Sequence, residues 1–467
     1  MNPEVTVVIL AAGLGTRMKS SKAKVLHEAA GETLLNLVVR AALKLTGPEQ
    51  IVVVVGHQAD QVKASVPVRG IRFTEQQEQK GTGHALLCAR AQAGTNDGLL
   101  LILNGDGPLL KLETLQKLIE LQQTRGEGGC VVTVKLDDPT GYGRVVRDQR
   151  GRIAAIVEQK SASAEQLQIQ EINTGVYLFR GDAFWAHVDK IKPDNAAKEY
   201  YLTDMIEILT SNGYPISPLL VEDETEVLGI NTRAELAVAD RILRVRKNYE
   251  LMLSGVTIEN PDSVLIDLDV SVGPETVIGS QVQLRGVTII GENCKIGAGT
   301  ILRNCHVGDN VEILPYVVAQ DSRIGAGAWV GPFARLRQSA EVGNDAHIGN
   351  FVELKNTSMG QGAKANHLAY LGDASVGVAT NIGAGTITCN YDGVSKHRTE
   401  IGDRVFVGSN STLVAPLGLG SGSYIAAGSV ITEDVEPDAL GIGRERQVNK
   451  PGWAKKRRME TETRKKN

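Results

Sequence analysis

A glycine-rich turn near the start of the chain has the residue types needed to bind a phosphate. The apolar run over residues 5–12 leads into Gly13-Leu-Gly-Thr-Arg-Met18, and Arg17 and Lys24 add positive charge. Glycines after a strand let backbone N–H groups approach a phosphate, and cationic side chains supply further donors. Met18 replaces the third glycine of a dinucleotide-binding fingerprint, and no Gly-Lys-Ser/Thr follows. The turn therefore indicates either a phosphate site of another class or an ordinary connection between strand and helix.

A second apolar run ends in a carboxylate. Residues 99–103 are followed by Asn104-Gly-Asp106, and ligands of open α/β sheets bind beyond the carboxyl ends of the strands. Hard cations prefer oxygen ligands, so Asp106 is a candidate ligand for Mg²⁺. The alternative is that Asp106 caps the next helix, and Pro108 is compatible with either role.

Alternating strands and helices are needed to position these residues. Further strand and helix patterns occur at residues 34–45, 51–55 and 112–123. Continuous apolar strands are typical of parallel sheets buried on both faces. The alternation predicts a doubly wound, Rossmann-like α/β domain over residues 1–231. Residues 232–253 follow a helical pattern and are predicted to form a linker helix roughly 30 Å long.

The remainder of the chain, residues 254–467, is predicted to form one further domain with a basic C-terminal tail, and from Val272 onward its sequence repeats every six residues. One aliphatic residue per repeat, often followed by glycine, predicts a parallel β-helix, whereas an amphipathic α-helix would need a period of 3.6. The register is interrupted between Leu354 and Val376 and again between Ile382 and Ile401, and we expect the chemistry of this domain there. A basic tail that contains Lys455-Lys-Arg-Arg458 follows and is expected to be solvated. The three aliphatic runs are Val272, Ile278, Leu284, Ile290, Ile296 and Leu302; Ile324, Val330, Leu336, Val342, Ile348 and Leu354; and Ile401, Val407, Leu413, Leu419, Ile425 and Ile431.

Composition limits the class of protein. The 467 residues carry a net charge of −4, which argues against a nucleic-acid partner. The five cysteines form no C-x-x-C pair, which favours a reducing compartment over a disulfide framework. No apolar stretch reaches the length of a membrane span. We therefore expect a cytoplasmic protein that binds neither nucleic acid nor membrane.

Several motifs together resemble one family. Residues 10–18 with Lys24-Val-Leu26 are similar to the signature loop of sugar-1-phosphate nucleotidyltransferases. Gly81-Thr-Gly-His-Ala85, Asp138-Pro-Thr-Gly-Tyr-Gly-Arg144, Glu171-Ile-Asn-Thr-Gly175 and Asn390-Tyr-Asp-Gly393 narrow the resemblance. The family is that of the bacterial bifunctional UDP-N-acetylglucosamine pyrophosphorylases/glucosamine-1-phosphate N-acetyltransferases, and the resemblance covers essentially the whole chain. It implies a left-handed β-helix and a supply of precursor for peptidoglycan and lipopolysaccharide.

For the N-terminal domain, the resemblance implies uridyl transfer from UTP to N-acetylglucosamine 1-phosphate with release of pyrophosphate. Asp106 and Asn231 would hold Mg²⁺, and Lys24 and Arg17 would act in catalysis on the phosphates. The residues implied in substrate binding are Leu10, Ala11, Ala12, Gly13, Lys24, Gln76, Gly81, Thr82, Asn104, Gly105, Asp106, Gly141, Glu158, Asn173 and Asn231. Ala23, Asn104 and Gly107 depart from the residues usual in the family.

For the β-helix, the resemblance implies transfer of an acetyl group from acetyl-CoA to glucosamine 1-phosphate. His367 would accept the proton of the amine, since its ordinary pKa lies near working pH, and Glu353 would orient the imidazole. The residues implied in binding the sugar phosphate are Arg337, Lys355, Tyr370, Asn381, Asn390 and Tyr391. Those implied in binding acetyl-CoA are Ala384, Asn390, Tyr391, Ser409, Ala427 and Arg444.

Other interpretations of the sequence stay open. The β-helix could serve only to oligomerise a monofunctional nucleotidyltransferase, because a fold does not determine a function. A nucleotide sensor without turnover would lack Lys24 or Asp106, and both are present. Cys389 suggests an acetyl-thioester intermediate, whereas the family uses direct attack. The resemblance also implies a homotrimer with active sites between chains.

Overall fold

The computed structural model describes residues 4–94, 98–195 and 198–466. The chain divides into two compact units, Met1–Lys247 and Asn248–Asn467. The division lies within a long helix, Arg233–Leu253, in the segment predicted as the linker. Among the helices in these ranges, none is long and apolar enough to cross a membrane.

The N-terminal unit alternates strands and helices, as its sequence pattern predicts. In chain order the strands are β1 (Val5–Ala11), β2 (Glu28–Ala29), β3 (Glu32–Thr33), β4 (Ile51–Val55), β5 (Arg72–Glu75), β6 (Leu99–Asn104), β7 (Gly129–Lys135), β8 (Arg144–Arg147), β9 (Ile153–Val157), β10 (Glu171–Arg180) and β11 (Ile216–Val221). The helices are α1 (Leu34–Leu43), α2 (Ala59–Ser65), α3 (Thr82–Ala93), α4 (Leu112–Arg125), α5 (Gly181–His187), α6 (Asp204–Ser211) and α7 (Arg233–Leu253).

A mixed sheet with strand order β5-β4-β1-β6-β10-β7-β11-β9-β8 forms the centre of this unit. β1 lies between β4 and β6 and runs parallel to both. Its side chains alternate between two apolar clusters, with Val7 and Ile9 on one face and Val8 on the other. Because these strands are buried on both faces, their sequences are continuous apolar runs. Because β1 and β6 are parallel, their carboxyl ends meet at one edge of the sheet, where Leu10 pairs with Asn104.

The second unit is the parallel β-helix predicted from the six-residue period. Across residues 257–441, all of them described, three parallel sheets form faces that we call A, B and C. Face A consists of Thr257–Ile258, Val277–Ile278, Lys295–Ile296, Glu312–Ile313, Trp329–Val330, His347–Asn350, Lys364–His367, Asn381–Ile382, Phe406–Val407, Tyr424–Ile425 and Leu440–Gly441. Face B consists of Leu265–Ile266, Gln283–Arg285, Ile301–Arg303, Val318–Gln320, Arg335–Arg337, Glu353–Lys355, Tyr370–Gly372, Ile387–Cys389, Thr412–Val414 and Val430–Ile431. Face C consists of Ser271–Val272, Ile289–Ile290, His306–Val307, Arg323–Ile324, Glu341–Val342, Ser358–Met359, Ala374–Val376, Thr399–Ile401 and Leu417–Leu419.

The two interruptions of the period have different structural causes. Between Leu354 and Val376 the coil is regular, and Met359, Ala365 and Leu371 fill the interior. The register slips there because the steps from Leu354 to Met359 and from Leu371 to Val376 are five residues long, and because methionine and alanine replace larger aliphatics, while the coil itself continues without a loop. The second interruption is a loop over residues 390–398, between strands of faces B and C.

Within each of several coils, the chain turns from face A to face B through a residue with a left-handed backbone conformation. Tyr316, Phe333, Phe351 and Leu368 occupy this corner in successive coils, with φ between 51° and 62°. The ring of Phe333 stacks on Tyr316 at 5.3 Å and on Phe351 at 5.4 Å. Positive φ is unfavourable for such side chains, and the stacked rings offset part of that cost. Beyond the coils, α8 (Trp453–Lys466) contains the basic tail, and its described side chains are exposed, as predicted.

Candidate active sites

A charged cluster lies at the edge of the sheet where β1 and β6 end. The ammonium of Lys24 forms an ion pair with Asp106 and donates to Asn231 Oδ1 at 3.0 Å. Arg17 Nη2 donates to the same oxygen at 2.8 Å. Lys24 and Asp106 side chains are only 14% and 18% exposed, so their interaction is weakly screened. The structure therefore brings together four predicted site residues that are far apart in the sequence.

The glycine-rich turn has the close approach that this cluster needs. Gly15 adopts φ 61°, and a Cβ there would lie 2.6 Å from Lys24 Cβ. Glycine is thus required for the turn to pack against the lysine. Gly13 is exposed and has open space around it, while Gly105 N donates to Leu10 O at 2.9 Å. The turn and the end of β6 are held side by side.

Two further groups of predicted residues lie on loops of the same unit. Gln76 is buried and donates to Gly81 O at 3.0 Å, and Thr82 Oγ1 accepts from Leu202 N at 3.0 Å. A Cβ at Gly143 would lie within 4 Å of both Glu158 and Asn173, which places these two near each other. Their companions Asn104 and Gly141 contact Thr174 and Gln159, respectively.

In the second group, Glu158 and Asn173 offer polar atoms in a partly buried setting. Burial raises the pKa of Glu158 above its usual range, opposed by a hydrogen bond from Thr203. Asn173 Nδ2 donates to Tyr177 OH at 2.7 Å, which fixes the amide. A half-buried carboxyl beside an oriented amide can hydrogen bond to a neutral polar ligand such as a sugar.

A cationic cluster lies where face B turns into face C. Arg337 and Lys355 end successive strands of face B, and Arg337 Nε donates to Glu353 Oε1 at 2.6 Å. Lys355 Nζ donates to Asp373 Oδ2 at 3.1 Å, and Asn390 donates to the same oxygen. Asp373 therefore holds two of the predicted sugar-phosphate residues in place.

Lys396, from the loop over residues 390–398, joins this cluster and was missed by sequence reasoning. The adjacent Lys355 ammonium lowers the pKa of Lys396 through a side-chain contact and charge repulsion. Two neighbouring ammoniums and Arg337 create a site suited to a phosphate dianion. The loop has no periodicity, so only its Asn-Tyr-Asp-Gly start drew attention in the sequence.

His367 is held in one tautomer on face A. His347–Asn350 and Lys364–His367 pair in register, so that Asn350 lies beside His367. A Cβ at Gly349 would lie 1.8 Å from Asn366 O, so glycine is needed for this approach. His367 Nδ1 hydrogen bonds to Asn350 Oδ1 at 2.7 Å. Because an amide oxygen only accepts, Nδ1 carries the proton and Nε2 is free to accept one.

The predicted partner of this histidine, Glu353, forms its hydrogen bond with Arg337. Glu353 and Tyr370 belong to face B, across the corner marked by Leu368, and Glu353 hydrogen bonds to Arg337. In this chain it is therefore Asn350 that orients the imidazole. Asn350 precedes His367 by 17 residues, the length of one coil, and this spacing is the signal that could have found it.

The predicted acetyl-CoA residues form a column beside the corner between faces A and B. Ala384, Ser409 and Ala427 follow one another in successive coils, because a Cβ on Gly383 would lie 2.6 Å from Ser409 N and one on Gly408 would lie 2.5 Å from Ala427 N. Arg444 Cδ lies 3.9 Å from the Cβ position of Gly428, so the cation is at the end of the column.

The remaining predicted residues lie around these groups. Asn381 is on face A in the strand after His367, and Tyr391 is exposed in the loop, with its OH donating to Gly393 O at 2.7 Å. Cys389 is a free, half-buried thiol at the end of a face B strand. The N-terminal turn residues Ala11 and Ala12 are buried at the end of β1.

Comparisons with known proteins agree with both halves of the chain. Residues 7–170 match the MobA-like NTP transferase domain, residues 269–304 and 321–356 match the bacterial transferase hexapeptide repeat, and residues 398–433 match the hexapeptide repeat of succinyl-transferase. The N-terminal unit is thus a nucleotidyltransferase domain, and the coils form a left-handed hexapeptide β-helix.

Full-length relatives define the family. The bifunctional protein GlmU of Solibacter usitatus is 53% identical over 463 residues, which cover 99% of each chain. That of Koribacter versatilis is 48% identical over 467 residues, again with 99% of each chain covered. That of Trichlorobacter lovleyi is 47% identical over 452 residues, 97% of this chain and 98% of the relative. The chain belongs to the family of bifunctional GlmU proteins.

Proposed function

We propose that the chain makes UDP-N-acetylglucosamine in two steps at two separate sites. Acetyl transfer to glucosamine 1-phosphate takes place on the β-helix, and uridyl transfer to the resulting N-acetylglucosamine 1-phosphate takes place at the sheet edge. The observation that carries this proposal is that a chain similar over its full length to bifunctional relatives contains one charged cluster in each of its two units. A scaffold used only for oligomerisation has no need of Lys355, Lys396 and an oriented His367.

In uridyl transfer the sugar phosphate oxygen attacks the α-phosphorus of UTP. A new P–O bond forms, and the bond to the β-phosphate breaks to release pyrophosphate. Both reactants are anions, so the chain contributes positioning and charge neutralisation. Lys24 and Arg17 neutralise the transferring and departing phosphates, and the backbone from Leu10 to Gly13 approaches the nucleotide. Glu158, Asn173 and Gly141 hold the sugar.

Asp106 and Asn231 suit a magnesium ion. Their oxygens already converge on one cation, the ammonium of Lys24. Carboxylate and amide oxygens are the ligands that Mg²⁺ takes, usually with substrate phosphates completing its shell. A bound Mg²⁺ would offset negative charge on the phosphates. Lys24 would then turn from Asp106 towards the nucleotide.

In acetyl transfer the amine of glucosamine 1-phosphate attacks the thioester carbon of acetyl-CoA. A C–N bond forms, the C–S bond breaks, and His367 Nε2 accepts the amine proton and passes it to the leaving thiolate. Arg337, Lys355 and Lys396 bind the sugar phosphate, and Asn350 keeps the imidazole in its reactive tautomer. Acetyl-CoA lies along Ala384, Ser409 and Ala427, with Tyr391 beside it and Arg444 on a CoA phosphate.

The β-helix also supports a proposal about assembly and location. His367 on face A and Lys355 on face B are separated by a corner within one chain. A second copy that covers this corner would complete the site, and we propose a homotrimer, whose mass light scattering would measure. A cytoplasmic location is consistent with the five free cysteines.

Substrate omission tests the proposed function. Purified chain given glucosamine 1-phosphate, acetyl-CoA, UTP and Mg²⁺ should form UDP-N-acetylglucosamine, free CoA thiol and pyrophosphate. Omission of acetyl-CoA should abolish all three products. Addition of N-acetylglucosamine 1-phosphate should then restore UDP-N-acetylglucosamine and pyrophosphate, without any CoA thiol. If the complete mixture released pyrophosphate but formed no CoA thiol, the chain would be a monofunctional nucleotidyltransferase.

Replacement of Lys396 by alanine tests the residue added by the structure. We expect the KM for glucosamine 1-phosphate to rise by about 10-fold or more, since a charge-assisted bond to phosphate is lost. Steady-state assays of CoA thiol release measure this, and kcat should change less than KM. Lys295→Ala, which removes an exposed lysine from a distant coil of face A, is the matched control. An unchanged KM in Lys396→Ala would show that Lys396 does not bind the sugar phosphate.

A further inference from the structure

The amide of Gln76 is fixed by two acceptors on neighbouring residues. Gln76 follows β5 at the sheet edge, is 3% exposed, and its backbone N donates to Val55 O at 2.8 Å. Its side-chain Nε2 lies 3.0 Å from Gly81 O and 3.0 Å from His84 Nδ1. Both hydrogens of the amide nitrogen are therefore used within the protein.

These contacts determine which atom carries each proton. A backbone carbonyl only accepts, so the atom facing Gly81 O is the NH₂ nitrogen of Gln76. The second amide hydrogen is directed at His84 Nδ1, which must then be unprotonated. The proton of the neutral ring is on Nε2, which lies 3.9 Å from Cys88 Sγ. Burial raises the pKa of the Cys88 thiol, so the sulfur stays uncharged and can accept weakly from that N–H.

The acceptors are themselves held firmly. Gly81 has φ 104°, and a Cβ there would lie 2.6 Å from Tyr200 O. Gly83 N donates to Tyr200 O at 2.7 Å, and Tyr200 N donates to Lys80 O at 2.7 Å. The carbonyl of Gly81 and the start of α3, which carries His84, are thus tied to the same backbone segment. Rotation of the Gln76 amide would break both of its bonds.

The other end of the amide is left for a ligand. Gln76 Oε1 accepts no hydrogen bond from any residue in the described ranges, although its side chain is nearly buried. An accessible carbonyl oxygen on a side chain that is otherwise buried and fixed favours a ligand that donates a hydrogen bond to it. A base with a protonated ring nitrogen, such as uracil with its N3–H, meets that requirement. Cytosine presents an unprotonated N3 and would place a lone pair against Oε1.

We propose that His84 is a specificity-determining residue: it orients the Gln76 amide so that the site accepts a uracil nucleotide and rejects a cytosine nucleotide. This inference rests on the proposed uridyl transfer at this site. His84 acts through Gln76 and is a positioning residue. Without an acceptor at the Nδ1 position, only the bond to Gly81 O opposes rotation of the amide, and a rotated amide would present its NH₂ group to cytosine N3.

Two substitutions separate this role from a general structural one. His84→Leu replaces the acceptor by an apolar side chain of similar reach. His84→Asn instead places an amide oxygen near the Nδ1 position. Binding of UTP and of CTP to the full chain with Mg²⁺ is measured by calorimetry for the wild type and both variants. Thermal unfolding monitors the fold of each.

We expect the wild type and His84→Asn to prefer UTP over CTP by about 10- to 100-fold, the cost of one unmade buried hydrogen bond. His84→Leu should reduce that preference to about threefold or less, through weaker UTP binding and tighter CTP binding. In turnover assays the KM for UTP should rise in His84→Leu with little change in kcat.

Three results would overturn the inference: equal binding of UTP and CTP by the wild type, an unchanged preference in a folded His84→Leu, or a preference lost in His84→Asn. The last applies even if His84→Leu does not fold. Binding of UTP without any turnover by the wild type would contradict the proposed reaction and leave the base-selection result standing.

Discussion

Replacement of His367 by alanine should lower the kcat of acetyl transfer by about 10²- to 10⁴-fold and leave uridyl transfer unchanged. The magnitude is that of a general base, because Nε2 is the group that accepts the amine proton in our proposal. CoA thiol release measures the first activity, and pyrophosphate release from UTP and N-acetylglucosamine 1-phosphate measures the second.

A matched control substitution distinguishes loss of the general base from structural damage to the β-helix. His306→Ala removes an exposed histidine from a face C strand of the same β-helix and should leave both activities intact. Asn350→Ala provides an intermediate case, since it frees the imidazole tautomer without removing the base. If folded His367→Ala retained wild-type acetyl transfer, the base would have to be another group.

The second large effect is expected at the sheet edge. Asp106→Ala should reduce uridyl transfer by about 10²- to 10³-fold or more, because it removes a charged oxygen where Mg²⁺ and the phosphates meet. The concentration of Mg²⁺ needed for half-maximal activity should rise as well. Acetyl transfer on the β-helix should be unaffected, since Asp106 belongs to the other unit.

The control for this variant is Asp60→Ala, which removes an exposed carboxylate from α2 in the same unit. It should keep both activities and the wild-type Mg²⁺ dependence. A folded Asp106→Ala chain that lost acetyl transfer as strongly as uridyl transfer would contradict two independent sites. Retention of full uridyl transfer would remove Asp106 from the metal site.

The elements that the sequence predicts well are those whose burial imposes a period. Residues 51–55 form a strand with the predicted bounds, and the six-residue step marks interior positions such as Leu284 and Ile348. The step fails where Met359 and Ala365 fill the interior, because packing there depends on the shape of the whole coil. A search for periodicity detects large aliphatic residues at regular spacing. It misses a coil whose interior is filled by methionine and alanine.

The contacts within the sites could not be predicted in the same way. Lys396 reaches Lys355 from an aperiodic loop, and the Gln76–His84 bond depends on where Gly81 is held by Tyr200. Each of these contacts joins residues from separate elements, and no local pattern specifies them. The resemblance to a family indicated the residue types, while the structure assigns Asn350 rather than Glu353 to the imidazole.

Stacking one coil on the next also decides in what order the acetyl-transfer site can be lost. Each coil pairs only with its two neighbours, so stability is set by nearest-neighbour interfaces and opening proceeds from an end. Fraying from the C-terminal end reaches Arg444 and Ala427 before it reaches the coils of Asn350 and His367. On mild destabilisation we expect acetyl-CoA binding to fail while the imidazole remains oriented. Hydrogen exchange should show the earliest loss of protection in the last coils, so that the proposed acetyl-CoA residues lie at the weak end of an otherwise intact β-helix.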